Sequence, residues 1–578
     1  MFRIRRIDDA LLAANRRAIE QVQAIFMEQF PEADADDILH LPEKLKNPFK
    51  TGFRNILFVA EGPKTRVEGF ALLYHEPDLH FCYLDYLSAA PLMTGRGIGG
   101  ALYERLRREA AALRAIGLFF ECLPDDPRLC PDPAVLKQNR RRLRFYEYYG
   151  ARPIVHTAYE TPLKEGEDNP PYLVYDDLGT GRPLRRKAAR AVVRAVLERK
   201  YRDICPPSYV ERVVRSFVDD PVQIRAPRYL KEEKTVPVIA VPADRKIRLI
   251  VSARHELHHV KQRGYVESPA RIASVLKELR KTSLFEEVPV RHFPESVLTW
   301  VHDPEMVGYF KRATARMPAD YAIYPYVFPV RNKARKPVEL LVRAGYYCID
   351  TFTPLSRNAY QAARHAVDCA LTGAGELVKG HRLAYALVRP PGHHAEKNAF
   401  GGFCYFNSAA LAAHYLARQE GRAALLDIDF HHGNGSQDIF YDRDDVLTLS
   451  IHGHPRFAYP YFSGFKEERG EGPGLGYNRN YPLPEHATVE QFQAALQEAL
   501  TAVRRFRPAF LVVALGLDTA RGDPTGTWML GSRDFRTNGR LIGELRLPVL
   551  VVQEGGYSQR NLGRNARLFF TGLWEGME

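Results

Sequence analysis

Residues 423–436 read Ala-Ala-Leu-Leu-Asp-Ile-Asp-Phe-His-His-Gly-Asn-Gly-Ser, a short apolar run that passes without a turn into Asp427, Asp429 and His431. Every second side chain of a strand points to the same face, so this spacing predicts that the three groups share one. A buried carboxylate without a partner is expensive, and a bound cation would supply that partner. Taken alone, Asp-x-Asp-x-His suits metal binding and hydrogen-bonded structure equally. What converges with it decides.

Three more apolar runs end in the same way. Ala384–Val388 runs into Arg389-Pro-Pro-Gly-His-His394, Phe510–Leu517 into Asp518-Thr519, and Leu547–Val552 into Gln553-Glu-Gly-Gly-Tyr557. Continuous apolar runs predict strands buried on both faces, as in a parallel α/β sheet, and such sheets bind ligands at the carboxyl ends of their strands. Four polar clusters behind four buried strands therefore predict one shared site. Asp429, His431 and Asp518 can supply the three ligands of a mononuclear zinc centre that keeps a position for water. Asp427 stands behind them and can offer its oxygens to a monovalent cation. His393 and His394 are placed to take and return a proton, and Tyr557, little shielded after two glycines, can donate to a developing oxyanion. Metal, base and oxyanion donor together describe hydrolysis of an amide by activated water.

The elements that must position these groups alternate. Strand Arg248–Ser252 and helices over 268–280, 360–373, 407–420, 489–506 and 534–545 predict one doubly wound sheet from about residue 246 to 578. The first part of the chain has another texture. Residues 1–50 read as mainly helical, followed by strands at 56–60, 67–75 and 81–88, the loop Thr94-Gly-Arg-Gly-Ile-Gly-Gly100, helix 101–115, strand 118–122 and helix 139–149. A glycine-rich loop that opens a helix offers backbone N–H groups to an anion, although a simple tight turn accounts for it as well. Residues 166–245 read as an extension and connector.

At 578 residues, two or three domains are expected. A hydrophobic content of 45% and a mean hydropathy of −0.32 fit a globular protein with ample core. No apolar run approaches a membrane span, and Met1-Phe-Arg-Ile-Arg-Arg lacks the apolar core of a secretory signal, so the expectation is a cytoplasmic protein without membrane contact. Seven scattered cysteines, with no Cys-x-x-Cys, suit reduced thiols. The net charge of +13 forms no basic tail, and the clusters at Arg140–Arg144 and Arg185–Arg190 suit solvated helix faces, so no specific nucleic-acid partner is expected.

As a set, Arg389-Pro-Pro-Gly-His-His, Gly401-Gly-Phe-Cys-Tyr-Phe-Asn, Asp427-Ile-Asp-Phe-His-His-Gly-Asn-Gly, Ser450-Ile-His, Leu517-Asp-Thr and Glu554-Gly-Gly-Tyr resemble the zinc-dependent histone deacetylase family. Gln437-Asp-Ile-Phe-Tyr and the segment 451–484 look most similar to its acetylpolyamine amidohydrolases. The resemblance implies an arginase/deacetylase-type fold for residues 246–578. Zinc would sit on Asp429, His431 and Asp518, with His394 as base and acid oriented by Asn434, and His393 backed by Asp427. Tyr557 would polarise the acetyl carbonyl. Gly402, Phe403 and Tyr459 would line a narrow tunnel, and potassium would sit on Asp427, Ser450 and carbonyls that include Ile451. Arginases share the architecture but use Asp-x-His-x-Asp and two metals. The implied substrate is an acetylated small amine, in a homodimer by the same resemblance. An acetylated protein, or a non-catalytic sensing role, are the alternatives. Thr525 stands where some polyamine-selective relatives carry a glutamate, and Glu339 and Asp350 are replacement candidates beside the reading as ordinary surface charge.

Strand, Gly95-Arg-Gly-Ile-Gly-Gly100, helix, strand and Phe145-Tyr-Glu-Tyr-Tyr-Gly150 resemble the GNAT acetyltransferases over residues 1–165, an α+β fold. That resemblance implies acetyl-CoA on Arg96, Gly97, Ile98, Gly99 and Gly100, with Tyr146 near its thiol. Tyr146 suits plain helix packing as well, and Glu121 is the one candidate base on a strand.

Overall fold

The computed structural model describes residues 3–31, 38–47, 52–62, 65–91, 97–160, 170–230, 241–258, 266–319, 321–326 and 335–578. The chain divides into two compact units, Phe2–Thr235 and Val236–Glu578.

In the unit Phe2–Thr235 the strands are β1 (Arg3–Ile7), β2 (Arg54–Glu61), β3 (Val67–Glu76), β4 (Phe81–Ala89), β5 (Leu118–Cys122), β6 (Arg152–Pro153) and β7 (Tyr172–Asp176). Among the described residues they form one sheet in the order β1-β2-β3-β4-β5-β7-β6. Alternate residues feed opposite cores, Leu57 and Val59 on one face and Ile56 and Phe58 on the other. All neighbours are antiparallel except β4 and β5, which pair in parallel only from Cys82↔Leu118 to Leu84↔Phe120. The register slips between Leu72 and Leu73, so Asp85 is an extra residue in β4 just beyond that short pairing. The helix Ile98–Ala112 links the two strands.

Two expectations need correction here. The N-terminus is not helical from the start: β1 precedes the helix Ala13–Gln29 because Ile4 and Ile7 are buried, its register with β2 pairs Arg5 with Val59, and the Arg5 side chain reaches Glu61 at 2.6 Å. The basic cluster Arg185–Arg190 opens an α-helix that runs from Arg186 to Ala195 and then widens to a π-turn at Val196–Lys200. The stretch read as an extension contributes β7, which lies against β5.

The unit Val236–Glu578 carries β8 (Ile247–Val251), β9 (Phe285–Glu287), β10 (Ala322–Ile323), β11 (Leu355–Ser356), β12 (Leu383–Leu387), β13 (Ala423–Asp427), β14 (Val446–Gly453), β15 (Asn478–Leu483), β16 (Phe510–Leu515) and β17 (Val549–Gln553). Apart from the small β10–β11 pair, these make an eight-stranded sheet in the order β15-β14-β13-β16-β17-β12-β8-β9, parallel throughout. Helices Ala359–Val378 and Ser408–Glu420 cover one face. Helices Ala270–Leu279, Val489–Phe506, Ser532–Gly543 and Leu562–Met577 cover the other, the doubly wound arrangement the apolar runs predict. The strands that end in polar clusters, β13, β16, β17 and β12, are consecutive in the sheet. Their clusters therefore emerge side by side. All seven cysteines are buried free thiols, and no helix among the described residues is long and apolar enough to cross a membrane.

Candidate active site

β13 ends at Asp427, so Asp429 and His431 lie in the following turn and not on a continued strand face. The turn forms because side chains take over the backbone ladder: Asp429 N–H donates to Asp427 Oδ1 at 3.0 Å and Phe430 N–H to Asp518 Oδ1 at 2.9 Å. The polar groups still converge. Ligand atoms of Asp429, His431 and Asp518 lie within 4.8 Å of one another. His431 Nδ1 is 3.2 Å from Asp429 Oδ1 and 3.1 Å from Asp518 Oδ2.

Gly555, behind β17, completes this wall, its N–H donating to Asp429 Oδ2 at 2.8 Å. A Cβ there would stand 2.5 Å from Asp429 Oδ2 and 2.6 Å from Asp518 Oδ2, so only glycine lets the main chain come this close. Burial and the facing Asp429 charge push the Asp518 carboxyl up to about 7, while Asp429, despite its burial, is held low by His393 and His431. Burial alone would lower the His431 imidazole, yet bonds to both carboxylates raise it to about 9. Two buried carboxylates around one imidazole leave excess negative charge, which a divalent cation would neutralise.

The two histidines behind β12 differ sharply. His393 Nδ1 is 2.8 Å from Asp427 Oδ2, and against burial the Asp427 and Asp429 charges raise it to about 10. His394 Nδ1 is 2.7 Å from Asn434 Oδ1, and burial, then the neighbouring His393 and His431, hold it well below the ordinary histidine value. Asn434 Nδ2 donates to Glu396 at 2.7 Å, which turns its oxygen toward His394. His394 Nδ1 is therefore the donor, and its Nε2 lone pair is free.

Several groups that fasten this arrangement escaped the sequence reading. Glu554 Oε2 accepts from Gly392 N–H at 2.6 Å and His393 N–H at 3.1 Å, which ties the β12 loop to the β17 loop. Arg271 stacks under Tyr557, its guanidinium carbon 4.7 Å from the ring centroid, and donates to the carbonyls of Gly556, at 2.6 Å, and Glu554. Glu267 takes Arg271 at 3.1 Å and, with both oxygens, the fully buried Arg389. The available signal was local: Arg271 falls on the buried stripe of its helix, with Val275 and Leu279, four residues after an acid.

Phe403 and Tyr459 are buried beside these groups, with Phe352 between them at 5.5 and 5.7 Å and Tyr459 4.8 Å from the His394 ring. Asp350 is no free selector. Its carboxylate accepts from Gly402, Phe352 and Thr353 N–H groups, the Thr353 hydroxyl and, at 3.1 Å, Tyr459 Oη, so it secures the aromatic wall. Glu339 Oε2 accepts from the Leu341 and Val342 N–H groups, and Thr525 bonds Asp523, which holds Tyr557 N–H at 2.6 Å. Gly402 has a φ of +58°, and a Cβ on it would meet His394 Cδ2 at 2.2 Å. Gly402→Ala is expected to lower kcat by about 100-fold through displacement of that ring, with unchanged far-UV circular dichroism as the control for folding.

Asp427 and Ser450 face each other across β13 and β14, with Ile451 next in β14, and the first two line a void of about 10 Å³. Of the phosphate-loop candidates, Arg96 lies outside the described residues. Gly97 has a φ of +76° at the start of its helix, Ile98 is buried in the core, and Gly99 and Gly100 form the first turn. Tyr146 packs 4.3 Å from Phe120 and 5.0 Å from Tyr103, and burial pushes its phenol up. Glu121 accepts from Tyr159 Oη at 2.6 Å and from Tyr201 Oη, which leaves it occupied.

Comparison with known proteins finds relatives for this part of the chain. The chain is 40% identical to acetylpolyamine amidohydrolase 2 of Pseudomonas aeruginosa over 55% of its own length and 96% of the relative's. It is 37% identical to the acetylpolyamine amidohydrolase of Mycoplana ramosa over 57% and 99%. The crystal structure of acetylpolyamine aminohydrolase from Burkholderia pseudomallei superposes with a TM-score of 0.54 at 37% identity, covering 57% of this chain and 98% of that one. Residues 265–573, within the unit Val236–Glu578, match the family described as "Histone deacetylase domain", and the chain belongs to the histone deacetylase family.

Proposed function

We propose that the unit Val236–Glu578 is a zinc-dependent hydrolase of acetyl amides that acts on small acetylated polyamines or similar cationic acetylamines. One observation carries this reading: Asp429, His431 and Asp518 converge at the end of a parallel sheet whose neighbouring strands deliver His393, His394 and Tyr557. The likeness to acetylpolyamine amidohydrolases supports the substrate class.

The donor set, two carboxylates and one imidazole, all buried, fits zinc. Bound there, zinc polarises a carbonyl and lowers the pKa of water. His394 Nε2 accepts the proton of the attacking water and returns it to the leaving amine nitrogen. Asn434 fixes the tautomer this requires. His393, kept cationic by Asp427, places positive charge beside the developing negative charge. Tyr557 is pushed up by burial, so its hydroxyl keeps its proton and donates to the carbonyl oxygen as that oxygen gains charge. Gly402, Phe403 and Tyr459 line the path of the aliphatic chain. Asp427, Ser450 and the Ile451 carbonyl would hold potassium.

Exhaustive chelation is expected to abolish turnover and added Zn²⁺ to restore it; full turnover in verified metal-free protein would end the zinc assignment. Acetylputrescine, acetylspermidine and an acetyl-lysine peptide, compared side by side with His394→Ala as control, test the substrate class. A second reading, a protein acetyl-lysine deacetylase, draws on 38% identity to histone deacetylase 8 of Arabidopsis thaliana over 37% of this chain and 62% of that protein. A preference for the peptide of about 100-fold, or about 2.7 kcal/mol, would establish it in place of the first.

For the unit Phe2–Thr235 we infer a GNAT-like module that binds acetyl-CoA. The short parallel pairing of β4 and β5 supports this, as does the helix that opens on Gly97-Ile-Gly-Gly, whose N–H groups suit a pyrophosphate. Saturable binding of acetyl-CoA by calorimetry is the expected result. No heat at millimolar ligand would remove the assignment.

A further inference from the structure

A second group of metal-ligating side chains lies outside the active site. After β9 the chain crosses the helix Ala359–Val378, held there by Arg291 N–H on Thr372 Oγ1 at 3.0 Å and Phe293 N–H on Asp368 Oδ1 at 3.1 Å. This crossing brings His292 to His365 and Asp368, which stand three residues apart on the helix and so share one face. One ligand atom from each of the three lies within 4.8 Å of the others.

His365 is the informative member. It is only 6% exposed, and neither ring nitrogen has a hydrogen-bond partner. A buried imidazole ordinarily finds at least one partner, so a ring with two open nitrogens is a group without its acceptor or donor. Among the described residues, His75 is the other histidine with both nitrogens buried and unpartnered, and no group of three ligating side chains forms around it. His365 differs because His292 and Asp368 face it.

Two imidazoles and one carboxylate are donor types that a zinc-like dication takes. Asp368 Oδ1 accepts from Arg364 and the Phe293 N–H, while Oδ2 lies 3.0 Å from His292 Nδ1. His292 Nδ1 and Asp368 Oδ2 face each other across a shared proton, and a metal that displaces this proton takes both atoms as ligands. Zinc–nitrogen bonds of about 2.0–2.1 Å bring tetrahedral ligand atoms to about 3.4 Å apart, so the group must tighten. His292, with a side chain 68% exposed, has the freedom to do so.

We propose that His292, His365 and Asp368 form a second metal site, for a transition-metal dication of the zinc type, which clamps the segment after β9 to the helix Ala359–Val378. With three protein ligands, one of them at the surface, it exchanges metal more readily than the buried centre and plays no part in turnover.

Metal content decides this as a difference between proteins, whatever the occupancy of the active site. Full-length protein equilibrated with Zn²⁺ and passed through gel filtration is expected to carry one zinc per chain more than His292→Ala. His292→Ala alters an exposed side chain and is expected to keep full deacetylase turnover. His365→Gln is expected to lose the same single zinc. Equal zinc in wild type and His292→Ala would overturn the proposal. So would loss in His292→Ala with full retention in His365→Gln, the result for a surface histidine that binds metal alone.

Discussion

Replacement of Glu267 by Gln is expected to destabilise the unit Val236–Glu578 by about 3–5 kcal/mol, the usual consequence of leaving a buried charge unpaired. The exposure decides the size: Arg389 is 0% and Arg271 3% exposed, and Glu267 is the carboxylate they share. The substitution keeps the shape and removes the charge, so two guanidiniums would face each other without a counterion. Burial would raise the Glu267 carboxyl, but Arg389 and then Arg271 bring it to about 2, below its ordinary 4.5. Its contribution is therefore complete above pH 4.5 and disappears as the pH falls through 2. Urea unfolding of wild type and variant at neutral pH measures the effect, and a difference under about 1 kcal/mol would show that water, not Glu267, compensates the arginines.

Tyr557→Phe is expected to lower kcat by about 100- to 1,000-fold with KM nearly unchanged, because a donor to the oxyanion acts in the transition state and little in the ground state. The ring, its 4.7 Å stack on Arg271 and its main-chain bond to Asp523 all survive the change. A rise in KM with kcat intact would instead make the hydroxyl a substrate-binding group.

The sheet and the site were unequally legible. β12, β13, β16 and β17 are buried on both faces, so composition alone marked them, and polar residues directly after apolar runs marked their ends. The exact end of β13 was not readable, because Asp427 and Asp518 side chains replace the ladder from Asp429 onward. β1 was missed since charged edge strands carry little apolar signal, and its stabilising partner Glu61 lies 56 residues away. Arg271 was missed for the same reason on a larger scale: it meets Gly556 across 285 positions, and only the folded chain reveals what a buried arginine faces. Asp350 read as free charge; five donors around it show otherwise.

Glu554 has one oxygen on the amides of Gly392 and His393, while its own carbonyl is gripped by Arg271, which also holds Gly556. The loop after β12 and the loop after β17 are thereby riveted to one another. An engineer who reshapes the mouth of the site has to leave Glu554 and Arg271 untouched, because these two side chains keep both loops in register.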